Sequence, residues 1–222
     1  MAALLQFVTD PSTDYAGHSA QYLLLCATSV AAATVAGVAL GAAVWRRPTL
    51  AFLAVNLSGM MRAVPVIAFL AFAMPYLGLG FAPAWVALTI LGIPPVLLNT
   101  YTGLRGIDPA VLDAARGLGM TRGQIAARIQ APLVLPLIAS GVRTSSVQVV
   151  ATATLASIIG AGGYGDYILS GLYRVDVTQI LAGTIPVSLL ALLAEIGLGA
   201  AQRALTPAGL GARPAAGSSA YC

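Results

Sequence analysis

Five apolar runs, roughly 21–44, 50–79, 84–104, 133–158 and 179–203, dominate the sequence. Each reaches the length of about 20 residues that a helix needs to cross a hydrocarbon core about 30 Å thick. Between them they leave the chain little else to build with. Charged residues are 8% of the 222 and hydrophobic residues 59%. A soluble domain carries about 25% charged residues, so this chain cannot cover itself with polar surface. The expected fold class is therefore all-α and polytopic in a membrane, one domain with no room for a second soluble one. The second run is interrupted by Arg62 and Pro65, which predicts a kinked or broken helix there. Splitting it would give six helices; five spans are expected. Small residues, as in "SVAAATVAGVALGAA" at 29–43, suit close approach of helices inside lipid.

The arginines orient these spans. All eleven basic residues are arginine. With residues 1–19 outside, Arg46, Arg47, Arg105, Arg116, Arg122, Arg128, Arg203 and Arg213 lie inside, and only Arg174 lies outside. Arg62 and Arg143 fall within spans. That is a strong positive-inside bias. Residues 1–19 lack the basic stretch of a cleaved signal, so the first apolar run reads as a retained span. The transmembrane domain is then 20–205, and 206–222 reads as a flexible cytoplasmic tail. Cys26 and Cys222 make neither a disulfide framework nor a metal spacing.

The inner loop at 105–132 is the most informative segment. Asp108-Pro109 is a helix start, an N-cap acceptor followed by proline at the first helical position. Gly117 or Gly119 ends that helix. Thr121 to Gln124 reads T-x-x-Q, a capping box opening a second helix, and Pro132 is expected to end it. A short helix-turn-helix strapped to two spans would pass the motion of a soluble partner directly to the membrane helices. A helix lying passively on lipid is the plainer alternative.

On these residues the chain resembles the permease subunits of bacterial ABC importers. Their cytoplasmic signature is Glu-Ala-Ala, three residues, Gly, nine residues, Ile, one residue and Leu-Pro. Here Asp113-Ala114-Ala115, Gly119, Ile129 and Ala131-Pro132 keep every gap, with Asp113 in place of glutamate and Ala131 in place of leucine. The stretches at 100–120 and 141–168 are similar to the osmoprotectant branch, which carries glycine betaine, choline, carnitine or related compounds such as proline betaine. The resemblance, from about residue 20 to about 205, implies a multi-pass protein of the bacterial cell membrane. It also implies a second permease subunit, identical or homologous, an ABC ATPase docked on the loop, and an extracytoplasmic solute-binding protein. No cofactor, metal or nucleic acid is implied. Another small solute such as an amino acid remains open, as does a stand-alone channel or carrier, against which the docking loop argues.

Other features have a bland reading beside a sharp one. Gly160, Gly162 and Gly165 fit G-x-G-x-x-G, but they follow a span rather than a strand, so a turn at the outer mouth is expected instead of a dinucleotide site. Arg143 and Glu195 come out at similar depth, which makes them candidates for an intramembrane ion pair; snorkelling to the interface is the alternative. Tyr164, Tyr167 and Tyr173 are candidate outer-mouth contacts for a quaternary ammonium, or part of an interfacial aromatic belt. His18 reads as a surface residue with no acid partner nearby in sequence. One histidine outside the spans, with no hydrolase signature, leaves an enzyme without parts. With no lysine the chain has no Walker A Lys, so ATP hydrolysis falls to a partner.

Overall fold

A computed structural model describes residues 2–205, and the expected tail at 206–222, with Arg213 and Cys222, lies outside the described residues. All regular structure among the described residues is helical. In lipid every backbone N–H and C=O must be paired within the protein, and a helix does this within one segment.

A short helix α1 (Ala2–Thr9) leads into a turn where the Asp10 carboxylate accepts from the Ser12 N–H at 2.9 Å. That bond holds the Asp10 carboxyl below the usual carboxylate range. The long helix α2 (Tyr15–Val44) follows, then α3 (Pro48–Ala63) and α4 (Val66–Leu77). Those two meet at an angle of 96°. Pro65 has no N–H to continue the ladder, and Val64 before it is extended, with φ −73° and ψ 123°, as a residue preceding proline prefers. The second apolar run is therefore a bent pair, and four single helices plus this pair are long and apolar enough to cross a membrane. α5 (Phe81–Arg105) is followed by the loop helices α6 (Pro109–Gly117) and α7 (Arg122–Ile125). The chain closes with α8 (Ala131–Ala153), a 3₁₀ turn at Thr154–Ile159, α9 (Tyr164–Arg174) and α10 (Val177–Leu205).

One expectation is corrected here. Pro132 does not end the second loop helix. Between α7 and α8 lies a π-helical turn, Ala126–Gln130, in which the Ala131 N–H bonds to Ala126 O, five residues back. A proline inside a helix lacks a donor and presses on the carbonyl four residues back; the wider turn just ahead of it shifts the ladder and makes room. The result is one helical rod from Arg122 to Ile159, 38 residues long, or about 57 Å.

Helices α2, α5 and α8 form the centre, held at backbone distance by small residues. A Cβ at Gly37 would lie 2.7 Å from Val96 Cβ, and one at Gly92 would lie 2.8 Å from both Ala33 Cβ and Ser145 Oγ. Ser145 donates to Gly92 O at 2.9 Å, tying α8 to α5. Tyr22, Leu25, Leu88, Val149 and Val150 are buried in the main apolar cluster. The outer faces stay greasy: Phe52, Met60, Phe72, Leu192 and Ile196 are all exposed, as lipid-facing residues of a span should be. The last residues of α2 and α5 converge with the loop at one end of the bundle. At the other end, Gly162 and Gly163 lie against Gln21 and Tyr22.

Candidate functional site

The loop between α5 and α8 builds its own geometry from local chemistry. The Asp108 carboxylate accepts from the Ala110 N–H at 2.9 Å, capping α6, and Pro109 occupies the first turn, where no N–H is needed. Gly119, with φ +77°, ends α6; its N–H reaches Arg116 O, and the Met120 N–H reaches Ala115 O at 3.2 Å. The next helix opens on a full capping box. Gln124 N–H donates to Thr121 Oγ1, and Thr121 N–H donates to Gln124 Oε1 at 2.8 Å.

Of the residues singled out in this loop, Ala115 is buried, Ile129 is half-buried, and Asp113, Ala114, Gly119 and Pro132 are exposed. Asp113 accepts from Arg116 one turn on, at 2.7 Å. Ile125, buried, anchors α7. Val111 and Leu118, at 43% and 82% exposure, stand out from α6. α6 is thus held on one buried alanine, with apolar side chains turned outward. α7 continues without a break into α8, so this part of the hairpin and that span are one helical piece.

Within the spans the structure brings Arg143 and Glu195 together. An Arg143 guanidinium N–H donates to Glu195 Oε1, joining α8 to α10 across 52 residues of sequence. Arg62 sits exposed on α3, apart from that pair. Removing one member leaves the other charge unmatched in the span, whereas removing both leaves two neutral amides. Arg143→Gln and Glu195→Gln are each expected to lower the folded yield and transport, and the double variant to regain part of both. Strictly additive losses in a cycle measured on the purified protein would show that the pair carries no coupling.

At the opposite end the three tyrosines part company. Tyr164 and Tyr167 are buried at 8% and 7% exposure, while Tyr173 is exposed at 85%. Tyr167 stacks on Tyr15 (14° between planes, centroids 5.5 Å apart), meets Phe7 edge-on, and donates to Thr13 O at 2.8 Å. Burial pushes its phenol up to about 12. Its ring is therefore spent on packing α9 against α1 and α2, and Tyr164 is likewise held by Tyr15 and Tyr22. His18 is corrected too: it lies in α2, and its Nε2 is 3.5 Å from Asp166 Oδ2. Burial raises the Asp166 carboxyl, and the neighbouring His18 opposes that shift. Tyr15, Tyr22 and Asp166 escaped sequence reasoning because their partners lie about 150 residues away, and only the spacing of the spans could have hinted at it. Among the described residues no group of three His, Cys, Asp or Glu side chains is placed to hold a metal.

Comparisons with known proteins bear on the family and the fold. A family model described as binding-protein-dependent transport system inner membrane component matches residues 33–208. Carnitine transport permease protein OpuCB of Listeria monocytogenes is 39% identical over 209 residues, covering 93% of this chain and 95% of that one. Choline transport system permease protein OpuBB of Bacillus subtilis is 35% identical over 95% of this chain and 97% of its own length. Among solved structures, an inward-facing form of the MetNI methionine ABC transporter superposes with a TM-score of 0.74 at 20% identity, over 93% of this chain and 97% of that chain. At that identity the likeness speaks for the fold alone.

Proposed function

The chain belongs to the binding-protein-dependent transport system inner membrane component family, and from that membership we propose that it forms half of the pathway of an ATP-driven importer for quaternary-amine osmoprotectants. It is a multi-pass membrane transport component, not an enzyme, and its family implies an ATPase and a binding protein as partners. The observation that carries the substrate class is the run of relatives matched over nearly their whole length, whose names give carnitine, choline and glycine betaine as solutes.

In this reading residues 1–19 face outward, 20–205 span the membrane, and 105–132 face the cytoplasm. The α6–α7 hairpin seats in the ATPase, with Asp113, Ala114, Ala115, Gly119, Ile129 and Pro132 forming the coupling loop. A second permease subunit supplies the other half of the pathway. Closure of the ATPase on ATP draws α6 with it, and the rod from Arg122 to Ile159 passes that motion to the outer mouth. The Arg143–Glu195 pair ties the moving α8 to α10. Of the three tyrosines, only Tyr173 has a ring free for a solute or a docking binding protein.

The test is competition for uptake in proteoliposomes holding the whole transporter and its binding protein. Unlabelled carnitine, choline or glycine betaine is expected to suppress uptake of labelled carnitine, and amino acids of similar size are not. The order of preference should survive Tyr173→Leu, with at most a lower maximal rate. Competition by amino acids and by none of the quaternary amines would overturn the substrate class.

A further inference from the structure

A cleft of about 610 Å³ opens where the ends of α2 and α5 meet the loop. Arg46, Arg105, Arg116 and Arg122 line it, with Asp113 as the one acidic side chain. Four arginines against one aspartate leave a net charge of +3, and Asp113 is already engaged by Arg116. Arg46 lies over the Trp45 ring and Arg105 donates to the Tyr101 hydroxyl. Neither has a carboxylate partner among the described residues, nor does Arg122. Gln130 lies in the wall at 6% exposure, and its side-chain amide makes no hydrogen bond among the described residues. Its amide thus adds neutral donors to a basic wall, where a ligand that brings acceptors fits.

A second groove, of about 370 Å³, shares Trp45, Arg46, Leu104 and Gln130 with the first. Its remaining walls are apolar apart from Thr100, whose hydroxyl donates to Val96 O, with Val38 and Ala42 of α2 and Val134 and Ile138 of α8 among them. A basic, amide-bearing cleft thus opens into a greasy groove running up between two spans, at the level where the apolar runs end.

We propose that this composite cleft binds an anionic phospholipid. The phosphodiester lies against Arg46, Arg105, Arg122 and the Gln130 amide, because guanidinium forks match phosphate oxygens two at a time. One acyl chain follows Val38, Ala42, Val134 and Ile138. A free phosphate or an acidic protein segment would satisfy the arginines but leave the apolar groove unused, and the continuity of the two clefts favours the lipid. The inference stands apart from which solute is carried, since it draws on neither the outer mouth nor the Arg143–Glu195 pair.

Native mass spectrometry of the complete detergent-purified transporter, mixed with phosphatidylglycerol or phosphatidylcholine, tests it. The wild type is expected to retain phosphatidylglycerol well above phosphatidylcholine. Arg46→Gln with Arg122→Gln should weaken that retention by about 25-fold, at about fivefold for each arginine near a membrane surface. Gln130→Leu should weaken the retention of phosphatidylglycerol by less than the arginine pair does. Should the glutamine pair fail to fold, Arg46→Lys with Arg122→Lys keeps the charge and is expected to keep most of the preference. A lysine pair that folds but holds the two lipids equally would overturn the proposal. So would equal retention by the wild type, the outcome if an acidic surface of the ATPase fills the cleft. Full displacement of phosphatidylglycerol by excess inorganic phosphate would assign the site to a free anion and overturn the lipid.

Discussion

Gly119→Leu is expected to abolish solute-stimulated ATP hydrolysis by the assembled transporter while the chain still accumulates in the membrane. Gly119 holds φ +77°, and the hydrogen bonds that close α6 depend on that conformation. An L residue with a bulky side chain pays about 1–2 kcal/mol to remain there. α6 is nine residues long and anchored by one buried side chain, Ala115, so it has little to resist that strain with. Turning α6 redirects Val111 and Leu118, the apolar side chains that face the ATPase in the proposed assembly. No atom lies within 4 Å of the place a Cβ would take, so the loss does not come from an overfilled core and the spans are left intact. Gly119→Asn separates the two ways bulk could act. Asparagine enters the left-handed region far more readily than leucine, so it should keep most of the stimulation if backbone conformation is the cause. If asparagine is as harmful as leucine, contact with the ATPase is the cause. Full stimulation in Gly119→Leu, measured in proteoliposomes with binding protein and saturating solute, would remove the coupling role from this loop.

Gly165→Ala is expected to give the largest loss of stability of any glycine-to-alanine change among the described residues. A Cβ at Gly165 would lie 2.2 Å from Thr154 O and 2.6 Å from Ser157 Oγ. The nearer obstacle is backbone, so no rotamer change can relieve it. α9 must lift from the 3₁₀ turn at Thr154–Ile159, taking Tyr164 and Tyr167 away from α2 and loosening the end of the apolar cluster. Overpacking costs about 1–3 kcal/mol in ordinary cores, and contact this close with backbone belongs at the upper end. For a chain of this size that corresponds to a fall in melting midpoint of about 6–12 °C. Gly197→Ala is the matched control. Gly197 is also helical, in α10, but nothing lies within 4 Å of its added methyl, so its midpoint should hold or rise slightly. Indistinguishable midpoints for the two variants would show that α9 is not seated as tightly as Gly165 implies.

What could be read from the chain alone was local. The apolar runs are legible because lipid imposes length and composition on any helix that crosses it, whatever the helix packs against. The caps at Asp108 and Thr121 and the turn at Gly119 are legible because each is closed by hydrogen bonds within two to five residues. The break at Val64–Pro65 follows from the missing N–H of one residue. Pro132 defeats the same rule, since the π-helical turn before it absorbs the proline and keeps the rod to Ile159 whole. Nothing at Pro132 itself distinguishes it from Pro65; the difference lies in the π-helical turn ahead of it.

The long-range pairs needed the tertiary structure. Matching depth made Arg143 and Glu195 candidates for each other, but depth leaves open which faces of α8 and α10 meet. The tyrosines show the limit most clearly. By composition Tyr164, Tyr167 and Tyr173 are equivalent, and the fold buries two of them against α1 and α2 while leaving the third in the open. The basic cleft depends likewise on residues drawn from the turn after α2, from α5, α6 and α7, and from the π-helical turn. The sequence by itself determined which segments enter the membrane, because burial in lipid is decided by each segment's own side chains. Which polar groups face one another was decided only when the helices packed, because a partner's charge, ring or amide acts over a few ångströms and lies 50 to 150 residues away along the chain.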